Sequence, residues 1–93
     1  MLGGRWKPNV LWKIYEGVDR YGDIKRSIPG ISEKVLYERL RELEEDNLVI
    51  RINNTTATEV AIVYNITDLG MQLIPILKEL WKWGDIAKTD IFA

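Results

Sequence analysis

The spacing of hydrophobic residues changes twice along this 93-residue chain. Apolar positions first recur with the helical period, and then alternate with polar positions as they do in strands. After the alternating region, the helical spacing returns. The predicted elements are a helix over 8–16, a short helix over 22–28, a long helix over 32–46, strands over 48–53 and 60–66 around the tip 54–59, and a last helix from 67 to 84.

The long predicted helix carries the clearest boundary signals. Ser32 can act as its N-cap, and Asn47 tolerates the left-handed backbone that ends many helices. Between them, Leu36, Leu40 and Leu43 recur at i, i+4 and i+7 and form one apolar stripe. The sequence therefore predicts a helix that buries one side.

Two helices joined by the turn Pro29-Gly30 and followed by a hairpin are typical of a winged helix-turn-helix. The predicted fold class is α+β, mostly helical with a two- or three-stranded antiparallel β-hairpin wing. A small α+β domain with another packing would give a similar pattern. We expect residues 1–93 to form a single domain with a loose tail at 85–93. Pro75 is expected to remove one backbone hydrogen bond from the last helix and to bend it.

The composition argues against several kinds of chemistry. Neither cysteine nor histidine occurs in the chain, which disfavours disulfides, the usual zinc sites and histidine acid–base catalysis. The spacing of the carboxylates matches no calcium-binding loop. We therefore expect no enzymatic activity, no cofactor and no metal ion.

The hydropathy pattern also bears on the compartment. No run of about 18 apolar residues is present that could span a bilayer. Residues 1–10 lack the apolar segment of a signal peptide. We expect no membrane partner and a cytoplasmic location.

Charge is distributed unevenly, although the formal net charge is only −1. Residues 1–41 contain nine basic and five acidic side chains, a net charge of +4. Residues 42–93 contain four basic and nine acidic side chains, a net charge of −5. Such asymmetry can give a nearly neutral protein a basic face.

The side of the long helix away from its leucine stripe carries Lys34, Tyr37, Glu38 and Arg41. One interpretation is a solvated face with ion pairs within the helix, and the other is a face that enters a groove of DNA. The helix ends in four acidic side chains, Glu42, Glu44, Glu45 and Asp46. Because carboxylates repel phosphates, a DNA-binding helix of this kind would enter the groove with its N-terminal half.

Three segments resemble the HxlR family of bacterial and archaeal transcriptional regulators. They are GGRW near the start, YGDIKRSIPGISEKVLYERLRELEEDNLV in the middle, and VYNITDLGMQLIPILKELWKWG near the end. The resemblance implies a winged-helix homodimer on inverted-repeat duplex DNA, with 32–46 as the recognition helix and the hairpin near 48–66 as the wing. It also implies that the first and last helices form the dimer. Many members carry an N-terminal cysteine that senses oxidants, and this chain has none.

The helix face and the resemblance together give a set of candidate DNA contacts. Ser32 could instead serve only as an N-cap, Arg39 could form an internal salt bridge, and the polar wing residues could only shape the turn. The candidates are Ser32, Lys34, Tyr37, Glu38, Arg39 and Arg41 on the long helix, Lys25 and Arg26 on the second helix, and Asn53, Asn54, Thr55 and Thr56 in the wing.

Large apolar residues on the first and last helices give a candidate dimer interface. Large aromatic side chains dominate such contacts, although they could equally belong to the core or line a pocket for a small-molecule effector. The candidates are Trp6, Trp12, Leu73, Leu77 and Trp81.

The function predicted from the sequence is that of a sequence-specific regulator of transcription. It would bind double-stranded DNA as a homodimer on an inverted-repeat operator and act by default as a repressor, with an unidentified small molecule as a further partner to test. The alternative is a winged-helix protein–protein interaction module without DNA binding, which the overall acidity and a wing tip without basic residues favour.

Overall fold

The computed structural model describes residues 6–82 of the chain. Within this range the chain forms four helices and one antiparallel hairpin, which confirms the predicted winged helix-turn-helix. In chain order the elements are α1 (Lys7–Tyr15), α2 (Tyr21–Ser27), α3 (Glu33–Glu45), β1 (Val49–Asn53), β2 (Ile62–Ile66) and α4 (Asp68–Trp81).

Both predicted signals at the ends of α3 are confirmed. The hydroxyl of Ser32 accepts a hydrogen bond from the backbone N–H of Val35 at 3.1 Å, as an N-cap does. At the other end Asn47 has a left-handed φ of 61°, and the N–H of Leu48 donates to the carbonyl of Leu43 at 2.9 Å. This Schellman geometry satisfies a carbonyl that the last turn would otherwise leave without a donor.

The hairpin has one face toward the core. β1 and β2 pair antiparallel, with Arg51 directly opposite Tyr64. Tyr64 is buried, whereas Ile50 on the other face of β1 is exposed. Beside β2, Arg20 forms an isolated bridge to Val63, so the described part of the sheet has two strands and one residue of a third.

α1 lies at the centre of the described fold, because it packs against α2, α3, α4 and β2. The leucine stripe of α3 is buried against this centre, as its spacing predicts. The largest fully buried side chains are Leu11, Ile24, Leu36, Leu40, Leu43 and Val10. Burial of each removes apolar surface from water and stabilises the folded state by about 1.5–3 kcal/mol. This packing holds in place the helices that carry the candidate site.

Two of the element boundaries differ from those predicted. α2 begins at Tyr21, one residue before the predicted start, because the chain is still extended at Arg20, where it bridges to β2. The wing tip covers 54–61 rather than 54–59, and Thr hydroxyls and backbone bonds inside it replace the strand ladder. α4 passes through Pro75 and ends at Trp81. The predicted end at Gly84 and the tail 85–93 lie outside the described residues.

Thr67 joins the beginning of α4 to the end of α3. Its hydroxyl accepts from the N–H of Gly70 at 3.0 Å, which caps α4 as predicted. The same hydroxyl donates to the carbonyl of Asn47 at 2.6 Å, and the Thr67 N–H donates to the carbonyl of Leu48 at 3.0 Å. These bonds hold α4 beside the turn that leaves α3.

Replacing Gly70 by Ala is expected to destabilise the protein. A Cβ at this position would lie 2.4 Å from the carbonyl oxygen of Leu48 and 2.6 Å from a side-chain carbon of Ile66. Since one of these atoms is backbone, α4 would have to move off the strands, at a cost of about 1–3 kcal/mol, as in overpacked cores. Urea unfolding followed by circular dichroism measures the loss.

The matched control is Gly22→Ala on α2. Its Cβ would lie 3.5 Å from the Arg26 guanidinium, an ordinary contact, so alanine there should be neutral or stabilising by up to about 1 kcal/mol. A Gly70→Ala protein as stable as the unsubstituted chain would contradict the close packing of α4 on the strands.

Candidate nucleic-acid interface

Tyr21 fixes the start of α3 relative to α2. Its phenol donates to the backbone carbonyl of Glu33 at 3.2 Å. Burial, and then the nearby Glu33 carboxylate, raise the pKa of Tyr21 above its ordinary value. The phenol therefore stays protonated at neutral pH and remains a donor. This bond joins the first residues of the two helices in the helix-turn-helix.

The outer side of α3, away from the leucine stripe, is open. Lys34, Tyr37 and Arg41 are exposed, and Glu38 is half-buried beside them. Their spacing along one helix places two cations and a phenol on one side, away from the buried leucines. These groups can donate to phosphates or to base edges, as the side chains of DNA-reading helices do.

Arg39 occupies a different environment from the other candidate DNA contacts on α3. Its residue is only 8% exposed, and its Nε lies 3.5 Å from a carboxylate oxygen of Glu42. Of its two predicted roles, the structure therefore favours the internal salt bridge over a phosphate contact, because burial leaves little of the side chain within reach of a partner. The period of the helix places Arg39 on the flank of the leucine stripe.

The acidic end of α3 is held by a cation from another helix. Lys7 of α1 lies 2.5 Å from a carboxylate oxygen of Asp46 and 3.9 Å from one of Glu42. These pairs attach the C-terminal end of α3 to the protein's own body. Asp46 and Glu42 thus have structural partners, and the exposed Lys34, Tyr37 and Arg41 are left for an external ligand.

The two cations of α2 differ in exposure. Lys25 is half-buried, whereas Arg26 is exposed and pairs with Asp23 one turn earlier on the same helix. Exposed pairs of this kind contribute little to stability and exchange readily with other ligands. Arg26 can therefore turn toward a phosphate at small cost.

The polar side chains of the wing tip form its turn. The Asn53 side-chain oxygen accepts from the N–H of Thr55, and the Thr55 hydroxyl accepts from the N–H of Ala61. The Thr56 hydroxyl accepts from the N–H of Glu59 at 3.2 Å. Asn54 is exposed beside them. A hydroxyl that accepts one bond still has its own proton to donate, so these side chains can shape the turn and also contact a ligand.

Two arginines near the wing were missing from the predicted site. Arg51 on β1 lies directly opposite Tyr64. Burial raises the pKa of Tyr64, and the nearby Arg51 guanidinium offsets this only in part. Arg20 lies between α1 and α2, and its NH1 is 3.4 Å from a carboxylate oxygen of Glu59 in the wing tip. No local pattern marks either residue, because their partners are far away in the sequence.

The predicted dimer residues fall into two groups. Trp12 and Trp81 form an edge-to-face pair with ring centroids 4.9 Å apart, and with Trp6 and Leu73 they are partly buried on the margin of the core. Leu77 is only 3% exposed. Leu77 therefore belongs to the core of the protomer, and its place in the subunit contact stays a prediction.

α4 presents a second apolar side besides the one that is buried. Leu69 and Ile76 are 51% and 56% exposed, and they lie on the same helical side as the half-buried Leu73 and Leu80, at i, i+4, i+7 and i+11. We call these four residues the outer stripe of α4. Its continuous apolar surface is the kind that subunit contacts cover.

The described residues contain neither a metal cluster nor a spanning helix. No group of three or more His, Cys, Asp or Glu side chains that could hold a metal ion occurs among residues 6–82. In the same range, no helix combines the length and the apolar character that crossing a bilayer requires.

A family model described as HxlR-like helix-turn-helix matches residues 1–90. A protein of Fusobacterium mortiferum named as a regulatory protein, MalR, is 44% identical over 84 residues, which cover 89% of this chain and 78% of that protein. The HTH-type transcriptional regulator YodB of Bacillus subtilis is 35% identical over 85 residues, covering 91% of this chain and 75% of that protein.

Solved structures show the same architecture. The reduced form of YodB superposes with a TM-score of 0.77 at 35% identity, covering 91% of this chain and 82% of that one. A protein of Porphyromonas gingivalis W83 named as a MarR-family transcriptional regulator gives 0.77 at 32% identity, covering 89% and 80%. Sequence and fold thus agree over nearly the whole chain: it belongs to the HxlR-like helix-turn-helix family, whose members are transcriptional regulators and not enzymes.

Proposed function

We propose that this regulator binds double-stranded DNA sequence-specifically, as a homodimer on an inverted-repeat operator, and represses transcription by blocking access to the promoter. One observation carries the proposal: the open outer side of α3 presents Lys34, Tyr37 and Arg41, while Lys7 holds the acidic end of the helix. The proposed role places the protein with its DNA in the cytoplasm.

The proposed complex has two recognition helices in successive major grooves, about 34 Å apart on one side of the duplex. Arg41 is the best candidate for reading a base, because a guanidinium can donate two parallel bonds to guanine. Lys34, Ser32, Lys25 and Arg26 would contact phosphates, and the amides and hydroxyls of the wing tip would lie along the flanking backbone. Glu38 would accept a bond from cytosine.

Selection from a random duplex library followed by sequencing tests this function directly. We expect an inverted repeat with half-sites one helical turn apart, and an affinity that falls steeply as salt rises, because phosphate contacts release counterions. Enrichment of a single unrepeated half-site would overturn the homodimer. No duplex binding at low salt would overturn the DNA-binding function.

In that last case the protein–protein interaction module becomes the better candidate. The net charge of −1 and the wing tip, where Glu59 is the charged residue among 54–61, favour it. A module of this kind would still expose α3 and the outer stripe of α4, but its affinity for duplex would be undetectable at all salt concentrations.

A small-molecule effector that binds at the rings of Trp12 and Tyr15 would have to compete with Lys78. The Lys78 ammonium lies 5.9 Å from the ring centroid of Trp12 and 5.6 Å from that of Tyr15. We propose that an effector bound there would displace this cation and quench tryptophan fluorescence. A thiol-based signal is not part of the proposal, because the sequence has no cysteine.

A further inference from the structure

A cleft of about 470 Å³ separates α2 from the base of the wing. Arg20 and Arg26 line its α2 side, and Val60 and Ile62 line its wing side. The backbone of Arg20 is fixed on both sides of the cleft, since this residue caps α2 and bridges to Val63 of β2. The backbone from which the Arg20 side chain extends is therefore held between the helix-turn-helix and the wing.

The charge partner of Arg20 is a carboxylate of the wing tip. Arg20 NH1 lies 3.4 Å from Glu59 Oε1, and the two side chains are 55% and 61% exposed. Such a long, solvated pair contributes at most about 1 kcal/mol in water, and it engages only part of a guanidinium that has five donors. Arg20 can therefore exchange this carboxylate for a stronger anionic ligand.

The backbone of Glu59 is held by the turn. Its N–H donates to the Thr56 hydroxyl at 3.2 Å, and its carbonyl accepts from the Thr56 N–H at 2.8 Å. The wing turn thus sets the position from which the Glu59 carboxylate reaches Arg20. A carboxylate held against an arginine presents the same pair of acceptor oxygens that a phosphate would present.

The cleft lies between the two parts of the fold that would touch DNA. If α3 occupies a major groove and the wing lies over the neighbouring minor groove, one sugar–phosphate strand must pass between them, because a single strand separates adjacent grooves. The strand would then run beside the helix-turn-helix and the wing, where Arg20 is anchored. A carboxylate at that place would repel it.

We infer that Arg20 is a phosphate contact of the DNA complex, and that Glu59 occupies it in the free protein as an internal substitute for the phosphate. This inference rests on the proposed DNA-binding function. DNA binding then includes an exchange of ligands, in which Arg20 leaves the wing carboxylate and takes a phosphate oxygen. Glu59 lowers the affinity for duplex because it competes for Arg20.

The test measures the affinity of the full chain for the selected duplex over a range of salt concentrations. The proteins compared are the unsubstituted chain, Arg20→Ala, Glu59→Gln and the double variant. Arg20→Ala should weaken binding about tenfold or more and reduce the salt slope by about one for each protomer. Glu59→Gln should strengthen binding about two- to fivefold per protomer, the range that an exposed ion pair allows. Circular dichroism checks that each variant is folded.

The double variant distinguishes competition from simple repulsion. If Glu59 acts through Arg20, the gain from Glu59→Gln should disappear when Arg20 is already Ala, since the two effects are coupled. If the gain persists in that background, Glu59 merely repels DNA and the inference is overturned. Glu79→Gln on α4 is the matched control, because Glu79 is an exposed carboxylate paired with Lys82, also at 3.4 Å, and its loss should leave affinity unchanged.

The outcomes also separate this inference from the function on which it rests. No duplex binding by the unsubstituted chain overturns both. Tight binding by the unsubstituted chain, with affinities for Arg20→Ala and Glu59→Gln that do not change, overturns the inference and leaves the DNA-binding function standing.

Discussion

Alanine at Arg41 is expected to weaken binding of the selected duplex by about 5- to 150-fold per protomer, which corresponds to about 1–3 kcal/mol. Arg41 is exposed on the open side of α3, so its substitution removes no internal contact on which the fold depends. If its guanidinium reads a guanine, the loss should be confined to duplexes that carry that base. Competition between operator and single-base variants, measured by fluorescence anisotropy, reports both the affinity and the base preference.

Lys34→Ala provides the comparison within the same helix. Lys34 is also exposed, about two turns earlier, and an ammonium on a phosphate supplies charge without reading sequence. Its loss should weaken all duplexes equally and reduce the salt slope by about one for each protomer. Lys82→Ala on α4 removes the same charge from an exposed position and should change neither quantity. Equal effects from all three variants would show that net charge, and not α3, governs binding.

The sequence was sufficient where the signals are local. Ser32 and Asn47 mark the two ends of α3 as predicted, because an N-cap and a left-handed terminal residue act within one turn of the helix. Arg20 and Lys7 could not be assigned in this way. Each pairs with a carboxylate 39 residues away in the sequence, and such pairs depend on packing that no periodicity records.

Leu77 and Ile76 show a second limit of the pattern. Both are apolar residues of the broad face of α4, yet Leu77 is buried and Ile76 is exposed. When apolar residues cover more than half of a helix, hydropathy alone does not determine which side faces the core, because two neighbouring sides are equally hydrophobic. The close packing of Gly70 against Leu48 and Ile66 determines which side of α4 faces inward. The remaining apolar side is the outer stripe.

Glutamate at Ile76 is expected to convert the proposed dimer into a monomer. If the outer stripe packs against a second copy, each dimer would lose two contacts of Ile76. Because Ile76 is 56% exposed in the protomer, each contact is worth about 0.8–1.7 kcal/mol. The dissociation constant of the dimer should rise by about 20- to 300-fold, before any cost of burying the two carboxylates is added. Sedimentation velocity at micromolar protein should then show monomer alone, and affinity for an inverted repeat should fall to that for one half-site.

Met71→Glu is the control, because Met71 is 44% exposed on the same helix but lies off the outer stripe. It introduces the same charge into α4 and should leave the dimer intact. Since Ile76 is already exposed in the protomer, its substitution should not change the unfolding transition of the monomer, which separates loss of association from loss of folding. A dimer that survives Ile76→Glu but dissociates with Met71→Glu would place the subunit contact on a different side of α4.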